Sequence, residues 1–296
     1  MSITEKIHKN GDFSHLVKRH PCFNAEAHVK HGRIHLPVSP ACNILCRFCR
    51  REFNTTDVRP GVSHGILSPA DAVATVTRAL ELCPSITVVG IAGPGESLAT
   101  PHALETLRLV HASYPELIGC LSTNGLRLTE NVEELVKVGV RTITVTVNAV
   151  DAQLLPLING GIILDGKRQD GAEAAEILIT AQLAGIDRAA EQGLVVKVNS
   201  VLIPGVNDEH IPVIARTVAA HGATIYNIIP LIPQHEMAHI TAPDCQLLNK
   251  VRGAAEEYLP VFRHCRHCRA DACGIPGQED LADKLYEHRV ETFSHG

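Results

Sequence analysis

Tryptophan is absent from this chain of 296 residues, aromatic residues make up 3% of it, and methionine occurs twice. A core without large rings has to be aliphatic, drawn from Val, Ile, Leu and Ala within an apolar fraction of 45% that is usual for a globular protein. Long hydrophobic runs are missing too. No stretch of about 18 apolar residues occurs, so nothing reads as a transmembrane helix. The opening residues MSITEKIHKNGDF contain no apolar region of the kind a secretory leader needs. An excess of positive charge is also lacking: the net charge is −5 with His neutral, which argues against a nucleic-acid partner. The expectation is a cytoplasmic protein with neither membrane nor nucleic acid as partner.

What the chain has in quantity is cysteine and histidine, ten and 17 residues respectively. In a reducing compartment such a cysteine count points to metal or cluster ligation rather than disulfides. His15, His20, His28, His31 and His35 crowd the segment before the first cysteine group. Beyond it, apolar runs of strand length recur at 34–38, 86–91, 117–121, 142–147, 195–201 and 225–231. Each is a continuous Val/Ile/Leu-rich run, as in parallel strands buried on both faces. Helix-like stretches alternate with them, at 101–113, 129–138, 172–192 and 208–221, and one opens at Ser68-Pro69 with a cap and an N1 proline. The pattern predicts an α/β fold, a partial (β/α)6 TIM-like barrel with N- and C-terminal extensions. The expected divisions are a His/Cys-rich segment 1–33, the barrel 34–243, and an extension 244–296 with a helix, a Cys-rich loop and a short polar helix.

The most specific motif is Cys42-Asn43-Ile44-Leu45-Cys46-Arg47-Phe48-Cys49, directly after the first predicted strand. Three thiolates at these spacings hold three irons of a cubane and leave the fourth open to another ligand. Zinc is the competing reading, but it takes four ligands in paired spacings. The triplet resembles the signature of the radical S-adenosylmethionine (SAM) superfamily. That resemblance implies a [4Fe–4S] cluster that binds SAM and cleaves it to a 5′-deoxyadenosyl radical. It also implies that Phe48 packs near the adenine and that the segment with Gly93, Gly95 and Glu96 meets the SAM amino group. Ser122, Thr123 and Asn124 follow the third strand, Asn148 follows the fourth, and Lys197, Asn199 and Ser200 lie in the fifth. Polar residues at successive strand ends form a ring of donors and acceptors around one mouth, the expected cofactor-binding set.

Longer matches narrow the family. They are His20-Pro21-Cys22-Phe23-Asn24, Glu26-Ala27-His28, Arg59-Pro60-Gly61-Val62, Cys120 through Gly125, Lys197 through Ser200, Pro204 through His210, and Cys265-Arg266-His267-Cys268-Arg269-Ala270-Asp271-Ala272. With the triplet they resemble the NifB family of nitrogenase cofactor maturases over nearly the whole chain. The resemblance implies two further [4Fe–4S] precursor clusters, fused with a SAM-derived carbide and an added sulfur into the eight-iron precursor of the iron–molybdenum cofactor. It assigns Cys22 and Cys120, with His20 or a neighbouring His assisting, to one precursor, and Cys265 and Cys268 to the other. Arg266 and Arg269 are expected to offset cluster charge. Expected partners are SAM, iron–sulfur cluster donors and a carrier or scaffold for the product. The expected form is that of the stand-alone members, without the appended NifX-like carrier domain.

One departure is clear. Family members carry a Tyr-Asp-Cys segment after the triplet, and its Cys ligates the first precursor. Here the stretch reads Glu52-Phe53-Asn54-Thr55-Thr56-Asp57, one residue shorter and without Cys. Three outcomes stay open for that site: a His or Glu52 substitutes, the cluster is held more loosely, or the site is lost. Cys273 reads as a spare ligand or a buried thiol, and Cys83 and Cys245 as core or surface thiols. The alternatives are a related radical SAM enzyme with another substrate and a zinc-stabilised protein without catalysis, whose zinc knuckle would combine Cys265 and Cys268 with Cys273 and His264.

Overall fold

The computed structural model describes residues 14–286. The outer parts of both predicted extensions, 1–13 and 287–296, lie outside them. In chain order the strands are β1 (Gly32–His35), β2 (Ile44–Cys46), β3 (Glu52–Phe53), β4 (Val62–Ser63), β5 (Ile86–Ile91), β6 (Ile118–Thr123), β7 (Val140–Thr146), β8 (Asn159–Leu164), β9 (Lys167–Gln169), β10 (Val195–Leu202), β11 (Ile225–Pro230) and β12 (Cys273–Gly274). The helices are α1 (Ser14–Val17), α2 (Ala25–His28), α3 (Pro69–Leu82), α4 (His102–Ser113), α5 (Leu128–Lys137), α6 (Gly171–Glu191), α7 (Ile211–Ala220), α8 (Cys245–Ala255) and α9 (Ala282–Tyr286).

The main sheet runs β11-β10-β7-β6-β5-β1-β12. From β1 to β11 its neighbours are parallel. Sequence-adjacent strands are joined by helices, which makes the partial barrel the apolar runs predict. β5 is buried along its whole length, as a strand covered on both faces has to be. The main core lies between sheet and helices and is aliphatic, from Ile34 and Val89 through Leu121, Ile143 and Val198 to Ile214. α3 begins where Ser68 accepts the Asp71 N–H, with Pro69 in the first turn. Ser68→Ala removes that acceptor and is expected to cost about 1 kcal/mol in a denaturant titration.

Two features have no counterpart in the sequence pattern. A small sheet, β2-β8-β9, braces the cysteine triplet from outside the barrel. β12 adds an antiparallel edge to β1 through Arg33↔Gly274 and Ile34↔Cys273. The C-terminal segment is thereby sewn into the sheet beside the N-terminal one. A further small core of Val17, Phe23, Val195, Ile225 and Phe262 plugs the barrel end where β10 and β11 begin. Phe23 precedes β1 and Phe262 precedes β12, so segments before and after the barrel close the same mouth. Among the described residues no helix is long and apolar enough to cross a membrane.

Candidate active site

Side chains alternate across a strand, so a single register decides which residues share the barrel interior. Cys120 and Ser122 of β6, Thr144 and Thr146 of β7, Lys197 and Asn199 of β10, and Asn227 of β11 all line one cavity of about 330 Å³. The cavity spans two levels. Near the carboxyl ends of the strands it meets Phe48, Cys49, Pro94 and Gln234. Toward the plugged end it meets His20, Cys22, His28, Arg33, His35, Cys265, Arg266 and Cys268.

The upper level is built by two loops packed backbone to backbone. Gly95 N–H donates to Ser39 O (2.9 Å) and Glu96 N–H to Ala41 O (2.8 Å), immediately before Cys42. Glu96 is buried, and its carboxylate accepts from Thr123 Oγ1, Leu98 N and Asn124 N. Burial raises its pKa against those three bonds. Asn124 donates to Asn43 Oδ1 (2.6 Å), inside the triplet, while Asn43 Nδ2 is buried without a partner. Gln234 donates to Phe48 O, and Arg47 pairs with Glu236, so the loop after β11 holds the triplet from the far side. Burial lifts all three triplet thiols, Cys42 to about 11, with Glu96 adding to the rise at Cys42 and Cys46. A cluster must displace those protons as it binds.

In the lower level the histidines differ by tautomer. His20 Nδ1 accepts the Cys22 N–H (3.1 Å). Burial, then Lys197, keeps its ring neutral, so the proton sits on Nε2, which is buried and unpartnered. In this tautomer His20 presents an N–H, not a lone pair, to the cavity. His28 donates from Nδ1 to Pro21 O (2.8 Å), and His35 from Nδ1 to Arg269 O (3.1 Å). Both leave Nε2 as an open lone pair. Burial pushes His28 down, and burial with Arg33 takes His35 to about 4. A Cβ on Gly90 would lie 3.2 Å from His35 Cδ2 and 3.8 Å from Cys120 Cβ, so this glycine lets the two share one wall. Burial raises Cys22 to about 12, and Cys120 is also raised by burial. Lys197 Nζ lies 4.6 Å from the Phe23 ring centroid and donates to Cys22 O (3.2 Å). All ten cysteines are free.

A model of the radical SAM superfamily matches residues 36–218. The FeMo cofactor biosynthesis protein NifB of Methanocaldococcus infernus is 44% identical over 285 residues, 96% of this chain and 94% of that protein. This chain belongs to the NifB family. A second member, from Methanocaldococcus jannaschii, is 43% identical over 97% of this chain and 99% of its own length. The solved structure of methylornithine synthase shares the fold at a TM-score of 0.52 and 14% identity, covering 88% of this chain and 70% of that one. Superfamily membership brings a [4Fe–4S] cluster, SAM and radical chemistry, and the half-buried, free thiols of the triplet suit such a cluster.

Against the family pattern, several side chains sit elsewhere than expected. Ser200 faces the helices: its hydroxyl donates to Val147 O and accepts from Tyr226, out of reach of the cavity. Asn148 Oδ1 accepts the Val201 N–H, and its backbone carbonyl accepts from Asn207, so it ties strand ends together. Thr123 serves Glu96 rather than the cavity. Lys197 lies at the cysteine level, beside Cys22, not at the triplet level. Arg269 is buried away from the cavity and bonds Asp271, Asn54 O and Asp57 O, leaving Arg266 as the cavity-lining arginine of that motif. Glu52 is claimed by Arg50 and Arg59. Thr55, where the family Cys would fall, is exposed on a turn in which Asn54 Oδ1 accepts the Thr56 and Asp57 N–H groups. Cys273 is a buried core thiol opposite Ile34 in β12, which removes it from any zinc knuckle. Among the described residues no three His, Cys, Asp or Glu side chains converge as a single metal ion requires. Arg33, Thr144, Thr146 and Asn227 carry no motif in the sequence; the cross-strand register, Ser122 beside Thr144, Asn199 beside Thr146 and Asn199 beside Asn227, brings the last three to the cavity.

Proposed function

We propose that this chain carries out the cluster-fusing step of FeMo cofactor assembly. Two [4Fe–4S] substrate clusters, one on Cys22 and Cys120 and one on Cys265 and Cys268, are joined around a SAM-derived carbide, with a sulfur added, into the eight-iron precursor. The observation that carries this reading is that both cysteine pairs and Cys49 open into one cavity. Few protein ligands per substrate cluster suit clusters that have to merge and leave.

Cys42, Cys46 and Cys49 would hold the resident cluster, which with SAM supplies the 5′-deoxyadenosyl radical. The chain's own residues do the rest. Phe48 and the 93–96 loop border the SAM end, and Asn43 Nδ2 is the unpartnered donor there. The Phe23 and Phe262 plug excludes water from the substrate end. His20 Nε2–H donates to cluster sulfide. Converting a methyl carbon to carbide releases hydrogen, some of it as protons, and the neutral His28 and His35 have open Nε2 lone pairs to take them. Where His35 instead binds iron in place of the absent family Cys, its one lone pair is used and His28 alone takes the protons. Cluster donors and a carrier for the product are the partners this reading requires.

The exposed Thr55 turn favours a second reading, a family enzyme acting on another substrate. Product analysis separates the two. The protein is loaded anaerobically with iron and sulfide, then given SAM and a strong reductant. S-adenosylhomocysteine and 5′-deoxyadenosine are both expected, and Cys265→Ala with Cys268→Ala should abolish the first. If only 5′-deoxyadenosine forms in the wild type, the cluster-fusing assignment fails.

A further inference from the structure

Arg33 stands on β1 with its guanidinium buried at 4% exposure, inside the wall of the cavity. One terminal nitrogen donates to Gly274 O (2.6 Å), across the β1–β12 pairing. The other donates to Cys268 Sγ at 3.2 Å. Nε is buried and has no partner in the protein. The nearest carboxylate, Asp280 Oδ2, is 3.9 Å away, half exposed, and its other oxygen already accepts from Cys273 N and Ala282 N.

Burying a cation is costly unless a counter-charge and hydrogen bonds meet it. A neutral Cys268 thiol does not meet this one, and Asp280 meets it at arm's length. A thiolate bound to an anionic cluster would, and the spare Nε–H gives that cluster a further donor. Cys22 of the other substrate site lines the same cavity as Arg33. The guanidinium therefore shares one cavity wall with both cysteine pairs. Two anionic clusters repel as they approach, and a fixed cation beside them lowers that repulsion where the surrounding dielectric is low.

We propose that Arg33 is a positioning residue of the tail substrate site: it holds Cys268 as a cluster-bound thiolate and supplies the buried positive charge that the two substrate clusters share as they come together. This rests on the cluster-fusing reading. It differs from the charge role expected of Arg266 and Arg269, because Arg33 comes from the barrel's first strand and not from the tail motif.

The test compares wild type, Arg33→Met and Arg33→Lys, each loaded anaerobically with iron and sulfide. Three quantities are read: iron retained on the tail site after a chelator pulse, the midpoint potential of the tail cluster by EPR-monitored titration, and S-adenosylhomocysteine formed. Tail iron is defined as the fraction lost in Cys265→Ala, Cys268→Ala protein. Arg33→Met should weaken tail-iron retention by about 10- to 100-fold, the range for loss of a group that supports a metal ligand. Its residual tail cluster should have a lower midpoint potential, and S-adenosylhomocysteine should fall in parallel. Arg33→Lys keeps the charge and loses the fork, so it should restore the potential more fully than the retention. Wild-type retention and potential in Arg33→Met overturn the proposal. So does equal loss of triplet and tail iron in both variants, which marks a general folding role. A wild-type protein with no iron on Cys265 and Cys268 overturns the cluster-fusing reading as well, and that failure shows before any Arg33 variant is made.

Discussion

Gly95→Ala is expected to abolish SAM cleavage, by at least about 100-fold, in a chain that still folds; misplacing a reacting group by an ångström costs that much. The reason is space, not backbone conformation. A Cβ at residue 95 would stand 2.2 Å from Ala41 O, 2.8 Å from Ala41 C and 2.8 Å from Ser39 O. All are main-chain atoms, so no rotamer change relieves the contact. Either residues 39–41 move and carry Cys42 with them, or the 93–96 segment withdraws and carries Glu96. Both movements break the pair of backbone bonds that joins the loops. The overpacking should also lower stability by about 1–3 kcal/mol. Gly253 in α8 is the matched control, since nothing lies within 4 Å of where its added methyl would stand, and Gly253→Ala should be neutral or stabilising. Iron bound to the triplet, 5′-deoxyadenosine formed and melting temperature are the measurements. Wild-type cleavage by Gly95→Ala would show that the contact between the loops is dispensable.

That contact illustrates what a sequence exposes and what it hides. The glycine run at 90–95 is visible, and so is the need for a close approach. Its partner is not, because the partner is a backbone segment without motif. The six parallel strands are legible because each is buried on both faces and reads as one apolar run. The short strands β2, β8, β9 and β12 are not: they are two to six residues long, and tertiary pairing rather than local pattern makes them. The same limit governs the site. Cysteines announce themselves by type and spacing, and all three cysteine groups meet the cavity or border it. Ser200 and Asn199 are adjacent letters in one motif, yet they point to opposite sides of a sheet. Histidine tautomers depend on which ring nitrogen finds a carbonyl or an N–H, and that is decided by neighbours far along the chain. His35, for example, is oriented by Arg269 O.

Arg269 in turn belongs to a buried cluster whose centre should be the most costly single position outside the cavity. Asp271 is fully buried. It accepts from His64 N (2.6 Å), His64 Nδ1 (2.7 Å) and Arg269 Nε (2.9 Å). Arg269 continues to Asn54 O and Asp57 O, and the His64 ring stacks on Tyr286 at 5.3 Å. One carboxylate thus ties the loop after the triplet, the tail after Cys268 and α9 together. Asp271→Asn strands the buried guanidinium, and the expected loss is about 3–5 kcal/mol, the cost of removing one partner from a buried pair. The pH dependence has a definite sign. Burial alone would raise the Asp271 pKa, but the bonds from His64 and Arg269 outweigh it and hold the value below the ordinary one. The contribution is therefore complete above the unfolded value of about 3.9 and is lost as pH falls through the lower folded value. Denaturant titrations of the metal-free chain should show the full gap between wild type and Asp271→Asn at pH 7 and at pH 5, and a narrowing gap below about pH 4. A gap within about 0.5 kcal/mol at pH 7, the range of an ordinary surface change, would mean that the loop and the tail are held by their apolar contacts and that the cluster is incidental to them.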